Sequence, residues 1–216
     1  MKHLNLILII LILSCCPLHP VYAFLDKDIR LLTMRDGLAD NTIPCIYKDE
    51  DGFMWFGTDD GLSRYDGKTI QNFKPADTYA SVAAIVRLSD DFLGIVSDGY
   101  LYYFNRKQET FLPIHTESDT AIGVFNVLPA DNSSFWGISG NRLILCQWEI
   151  RQGKEEEKTA VRVRIQKTFQ LLEEKGEVFS SLCYHEKAGN GIWLTTNRGN
   201  LILFHPDTPE AYQKIP

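Results

Sequence analysis

The side chains able to do chemistry are few and scattered. Carboxylates pair at Asp49/Asp51 and Asp59/Asp60. Paired carboxylates can serve acid–base catalysis or ligate a hard cation. Here each pair lies beside a glycine, at Gly52 and Gly61, and Asp next to Gly is the chemistry of a tight turn. A calcium loop would space oxygens at alternate positions, whereas this run turns apolar at Phe53. His115, His185 and His205 are isolated, with no second His or Cys at metal-ligand spacing. Ser133-Ser134 and Ser180-Ser181 lack a nucleophile elbow, and no glycine-rich phosphate loop opens a helix. These patterns point away from an enzyme and from any metal or organic cofactor. The aromatic residues Trp148, Tyr100 and Tyr103 remain as weak ligand-binding candidates, because aromatic faces stack on sugar rings. A strand-buried Trp148 is the competing reading.

The elements that would carry these residues are short strands. Phe53–Thr58 and Leu62–Tyr65 flank the turn Asp59-Asp60-Gly61, which reads as a β-hairpin. Trp55 anchors the first run and Gly57 leaves room beside it. Weaker copies follow. Repeat one spans residues 37–73, repeat two 81–114, repeat three 123–171 and repeat four 178–215. Trp55, Trp136 and Trp193 recur at one repeat position and are read as core, together with Gly57, Thr58, Gly61 and Thr196. Gly94 stands at that position in repeat two, so that unit needs another anchor, such as Phe92 or Tyr102. In repeat three the polar run 152–158 breaks the spacing, which reads as a lengthened hairpin with its tip in solvent. Four units of about forty residues, each of four short strands, are the signature of β-propeller blades. The fold class is therefore all-β, a segment of four four-stranded blades that bury their faces on one another.

Residues Gly37–Phe73 resemble the two-component-regulator propeller repeat. Gly37-Leu38, Asn41, Asp49, Asp51-Gly52, Trp55, Gly57-Thr58, Gly61-Leu62, Tyr65 and Asp66-Gly67 carry the resemblance, and the later repeats match loosely. It implies a periplasmic sensor region of a Bacteroides-type hybrid two-component system, detecting glycan fragments and signalling through a membrane helix to a histidine kinase. The kinase, the membrane helix and the further repeats usual in such systems are not in this chain. The expectation is an open propeller at the amino-terminal part of a longer sensor, or a truncated gene, with a closed four-bladed ring as the alternative. Ile29–Thr33 reads as a ring-closing strand. A stand-alone exported or lipid-anchored binding module is the second functional reading, and an enzyme on a propeller scaffold the third.

Compartment and partners follow from the ends and the charge. Met1-Lys2-His3, an apolar run to Cys16 and the exit Val21-Tyr22-Ala23 read as an export signal over residues 1–23, cleaved after Ala23. The run of about 13 residues is short for a membrane span, which needs roughly 20. Ile12-Leu13-Ser14-Cys15 also fits a lipoprotein box, which would lipidate Cys15, and an uncleaved anchor is the third option. The 216-residue chain has a formal charge of −6, and loss of Lys2 with the signal makes it more acidic. An acidic chain without a basic cluster is a poor nucleic-acid binder. Expected partners are an oligosaccharide or other small periplasmic ligand, and further blades or a homodimer partner. Cys45, Cys146 and Cys183 lack metal spacing and are expected to be buried free thiols, with Cys45 and Cys183 on corresponding strands of different blades.

Overall fold

The computed structural model describes residues 29–74, 80–116, 122–151, 160–185 and 191–215. The expected signal at 1–23, Cys15 and the polar run 152–158 lie outside them. The chain divides into two units, Met1–Leu32 and Thr33–Pro216. In the first, residues 29–32 are irregular, and the strand expected over Ile29–Thr33 does not form. Thr33 instead caps a 3₁₀ turn at Met34–Asp36: its hydroxyl accepts from Arg35 N, and the Asp36 carboxylate accepts from Thr33 N at 2.9 Å. This reciprocal cap competes with extension of the strand.

The second unit is a β-propeller segment of four blades. Blade one holds β1 (Cys45–Lys48), β2 (Met54–Thr58), β3 (Gly61–Tyr65) and β4 (Ile70–Phe73). Blade two holds β5 (Val82–Arg87), β6 (Phe92–Ser97), β7 (Tyr100–Asn105) and β8 (Thr110–Pro113). A short strand β9 (His115–Thr116) then precedes blade three, made of β10 (Asn126–Pro129), β11 (Ser134–Ser139), β12 (Arg142–Arg151) and β13 (Ala160–Gln170). Blade four holds β14 (Phe179–His185), β15 (Gly191–Thr196), β16 (Leu201–Phe204) and β17 (Gln213–Ile215), the last preceded by a 3₁₀ turn at Pro209–Ala211. Every blade is an antiparallel meander in chain order. The long β12–β13 hairpin is the lengthened one expected, and β9 adds to its outer edge in parallel, pairing His115 with Arg162. Leu171–Glu174, which has a helical look in sequence, forms no helix.

The innermost strands β1, β5, β10 and β14 pack in succession, β1 on β5, β5 on β10 and β10 on β14. Each middle blade buries both faces, and all six residues of β6 are buried. Three hydrophobic clusters lie at the junctions of blades one and two, two and three, and three and four. Among the described residues no such cluster joins blade four to blade one. The junctions are directional. The face of a blade that bears the repeat tryptophan meets the opposite face of the next blade. Trp55 packs on Phe73 of its own blade and Phe104 of the next, with ring centroids 6.0 and 5.6 Å away. Trp136 repeats this with Phe169 and Phe204 at 5.9 and 5.8 Å. Such tilted and edge-on pairs each add about 0.5–1.5 kcal/mol beyond area burial.

Gly94 leaves the tryptophan position of blade two empty, and its neighbours fill it. A Cβ on Gly94 would stand 2.8 Å from Val86 and 3.0 Å from Leu88. The anchors there are Phe92 and Tyr103, not Tyr102, which packs on the cluster with blade one. Gly57 has a similar reason. A Cβ there would lie 2.4 Å from Cys45 Sγ and 2.6 Å from the Val82 carbonyl of β5, so the residue lets the next innermost strand approach. Thr58 closes the following turn: its hydroxyl donates to the Gly61 carbonyl at 2.9 Å and accepts from Asp60 N. Thr196 accepts from Arg198 N in the same place in blade four.

The three described cysteines are free. Cys146 is fully buried, and burial pushes its thiol up to about 12. Cys45 is partly buried and raised to about 11 for the same reason. Cys183 is exposed, contrary to expectation. It pairs across from Trp193 as Tyr47 pairs across from Trp55. The β14–β15 connection is two residues longer, so Cys183 takes the place of Tyr47, not that of Cys45. It therefore sits on the outer face of the last blade. Alkylation of the native protein read by peptide mass spectrometry should label Cys183 first and Cys146 only after denaturation, since a reactive thiol needs both access and a thiolate. Equal native labelling of both would contradict this.

Candidate functional site

The site grows from one position in the repeat, the turn that joins the first two strands of a blade. At the junction of blades one and two that turn supplies Asp49, a buried carboxylate. It accepts from Phe53 N at 2.8 Å and from Trp55 Nε1 at 2.7 Å. Arg106, just past β7 of the next blade, reaches Asp49 at 2.9 Å, pairs with Asp51 and donates to the Asp90 carbonyl at 2.7 Å. A buried polar group needs such partners. The cap leaves a gap of only about 180 Å³, lined by Tyr47, Asp49, Arg87 and Arg106 among others. The carboxylate pairs are therefore turn and junction chemistry. Asp59 accepts from Ser81 Oγ at 2.9 Å, and Asp60 pairs with Lys74. Among the described residues no group of three His, Cys, Asp or Glu is placed to hold a metal ion.

The same place at the junction of blades three and four is open. Six residues before Trp136 stands Ala130, where Asp49 stands six before Trp55. Two residues after Phe204 stands Pro206, where Arg106 stands two after Phe104. Both halves of the cap are missing, and a cleft of about 770 Å³ takes their place. Ala130, Pro206, Pro129 and Trp136 line it, with Asp131, Gln166 and Tyr184 at its polar margin. Trp136 is only 5% exposed, and no described residue accepts a hydrogen bond from its indole N–H. The Tyr184 hydroxyl, from β14, donates to the Pro129 carbonyl of β10 and so bridges the two blades. Burial raises the Tyr184 phenol, and the nearby Asp131 charge adds to the rise. Asp131 accepts from Ser134 Oγ and from Ser133 N at 2.7 Å, which holds its carboxyl below the usual carboxylate range. Gln166 donates to Gln147 Oε1 at 2.8 Å across the β12–β13 hairpin.

The aromatic residues singled out in sequence lie elsewhere. Trp148 stacks on Phe135 with ring centroids 5.7 Å apart and planes 22° apart, inside the cluster between blades two and three. Tyr103 lies in the same cluster, edge-on to Phe92 at 5.6 Å. Both are buried, so neither presents a face to a ligand. Tyr100 is 49% exposed at the start of β7 and is not brought to them. The cleft was missed because what opens it is an absence. Its trace in the sequence is the loss of the acid six residues before a repeat tryptophan.

Residues 37–60, which hold Asp49, Trp55 and Gly57, match the family pattern of the two component regulator propeller. No curated protein matches the chain significantly. Among solved structures, the chain is similar to virginiamycin B lyase from Staphylococcus aureus, with a TM-score of 0.52 and 15% identity over 79% of this chain and 55% of that one. It is also similar to the extracellular domain of BT3049 from B. thetaiotaomicron, described as a hybrid two component system, with a TM-score of 0.51 and 15% identity over 85% of this chain and 31% of that one. The extracellular domain of BT4673 from the same organism, described as a one component system, gives 0.50 and 16% over 80% and 28%. The chain thus spans between 28% and 55% of the length of these structures. At such identities the likeness is one of fold.

Proposed function

We propose that this chain is the ligand-sensing propeller segment of a periplasmic hybrid two-component sensor, that it detects glycan fragments, and that phosphotransfer belongs to a histidine kinase outside it. The observation that carries the reading is the regulator-propeller match at residues 37–60, seated in a blade whose tryptophan junction recurs two blades later. No helix among the described residues is long and apolar enough to cross a membrane. Ligand binding would act by favouring one arrangement of blades or subunits over another. The segment itself is non-catalytic in this reading, and the resemblance to a lyase is to its scaffold. In the source organism, removing the codens for residues 37–215 should abolish transcriptional induction by the cognate glycan. Unchanged induction across a glycan panel would overturn the sensing role, and product formation by the purified chain would overturn the non-catalytic one.

The partners in this reading are further blades or a second copy. The outer face of blade four bears Cys183, Trp193 and Leu203 across from one another, the same face that blade one turns to blade two. The outer face of blade one bears Ile46, 61% exposed, with Phe56 beside it. Residues 37–39 cover part of that face: Ala39 N donates to Ser63 Oγ at 3.1 Å, and Asn72 Nδ2 to the Gly37 carbonyl at 2.8 Å. Apolar faces of this kind favour association. Sedimentation of the full chain over a hundredfold concentration range should show concentration-dependent self-association, reduced by Trp193→Asp. A monomer throughout would contradict it.

A further inference from the structure

We propose that the cleft between blades three and four is a ligand site for a neutral, hydroxyl-bearing sugar ring, with Trp136 Nε1 donating to one of its oxygens. The inference deepens the sensing reading and rests on it for the biological role. Its chemistry comes from the cleft itself.

Three observations converge. The indole of Trp136 is 95% buried with its N–H unmatched among the described residues, while the equivalent N–H of Trp55 has a carboxylate at 2.7 Å. A buried donor without an acceptor costs about 1–3 kcal/mol, and such exceptions in native proteins call for an explanation. The cleft is open because the two residues that would fill it are Ala130 and Pro206 in place of an acid and an arginine. It has the size of a small-molecule site, for which about 300–1,000 Å³ is usual.

The lining selects the ligand class. Trp136, Tyr184, Pro129 and Pro206 provide apolar walls that suit the C–H face of a ring. Gln166 offers an amide that can both donate and accept. Among the described residues of the lining, Asp131 is the charged one, and it already accepts from both Ser133 and Ser134. Among the described residues no cation lines the cleft to pair with an acidic ligand, and an ionised Asp131 disfavours one. A ring with hydroxyls and no charge satisfies these groups together.

The test follows the indole N–H signals of the full chain labelled with ¹⁵N, with Trp136→Phe assigning its own. Maltotriose, cellotriose, xylotriose and mannotriose serve as neutral probes and trigalacturonate as an acidic one, with calorimetry in parallel. At least one neutral trisaccharide is expected to shift the Trp136 signal. Trp136→Phe keeps an aromatic face but loses the N–H donor and the second ring, so affinity should fall at least roughly tenfold, the worth of one hydrogen bond. The double variant Ala130→Asp/Pro206→Arg rebuilds the cap of the first junction, and should abolish binding while melting no lower than the parent. Calorimetric binding that leaves the Trp136 signal unmoved, or that survives in the double variant, would overturn the cleft and leave the sensing reading intact. Binding of trigalacturonate alone would overturn the neutral-ligand assignment. If no probe bound, the sugar assignment of the cleft would fall, while the glycan reading would stand or fall on the induction assay.

Discussion

Trp55→Ala is expected to cost the chain roughly 3–5 kcal/mol of stability, the range for removing a fully buried large aromatic. The side chain is completely buried between blades one and two and touches Phe73 and Phe104. Its loss would leave a cavity at the centre of a junction and take one donor from Asp49. Trp193 occupies the same repeat position but is only partly buried, on the outer face of blade four, where no further blade covers it among the described residues. Trp193→Ala should therefore cost the monomer clearly less than Trp55→Ala, because fewer of its contacts are lost. Urea unfolding of both variants, followed by circular dichroism, separates them. Equal losses would mean that the junctions are not where the stability resides.

Asp49→Ala should be nearly as damaging, at roughly 3 kcal/mol, because it strips partners from groups that stay buried. The Trp55 and Phe53 N–H groups would lose their acceptor and Arg106 its buried counter-ion. Asp51 also pairs with Arg106, but its side chain is 62% exposed. An exposed pair is worth about 0–1 kcal/mol, so Asp51→Ala should be mild. A double-mutant cycle between Asp49→Ala and Arg106→Ala should give a coupling above about 1 kcal/mol. Strict additivity would place the arginine's role with Asp51 instead.

Much of this architecture was legible in the residues. The Asp-Gly turns and the tryptophans at 55, 136 and 193 announced blades because turn chemistry and anchor position are local properties. Gly61 shows how local: its φ is +108°, and a Cβ would lie 2.6 Å from the Phe73 carbonyl. The parts not legible depend on a neighbour. For Gly94 the substitute anchor Phe92 was legible but Tyr103 was not, because which tyrosine faces the gap beside Val86 and Leu88 is decided only once three strands are in register. Trp148 stood between a ligand face and a strand-buried place, and Tyr103 stayed a candidate, since a strand alternates its faces and only the facing blade tells which face is covered. Cys183 was misplaced because two extra turn residues shift its pairing by one full pleat period. The cleft needed two absences, far apart in sequence, to be read as one event.

The polarity of the junctions has a consequence for how such chains change over time. Each seam joins the face that carries the repeat-tryptophan position, filled by Gly94 and its neighbours in blade two, to the opposite face of the next blade, always in the same direction along the chain. A gene duplication that adds or removes one whole unit restores a seam of the same kind on both sides. Drift within a unit is a different matter, because an altered seam residue touches only one neighbour. The array can therefore grow or shrink in whole steps while a single seam, such as the one with Ala130 and Pro206 in place of an acid and an arginine, is free to diverge.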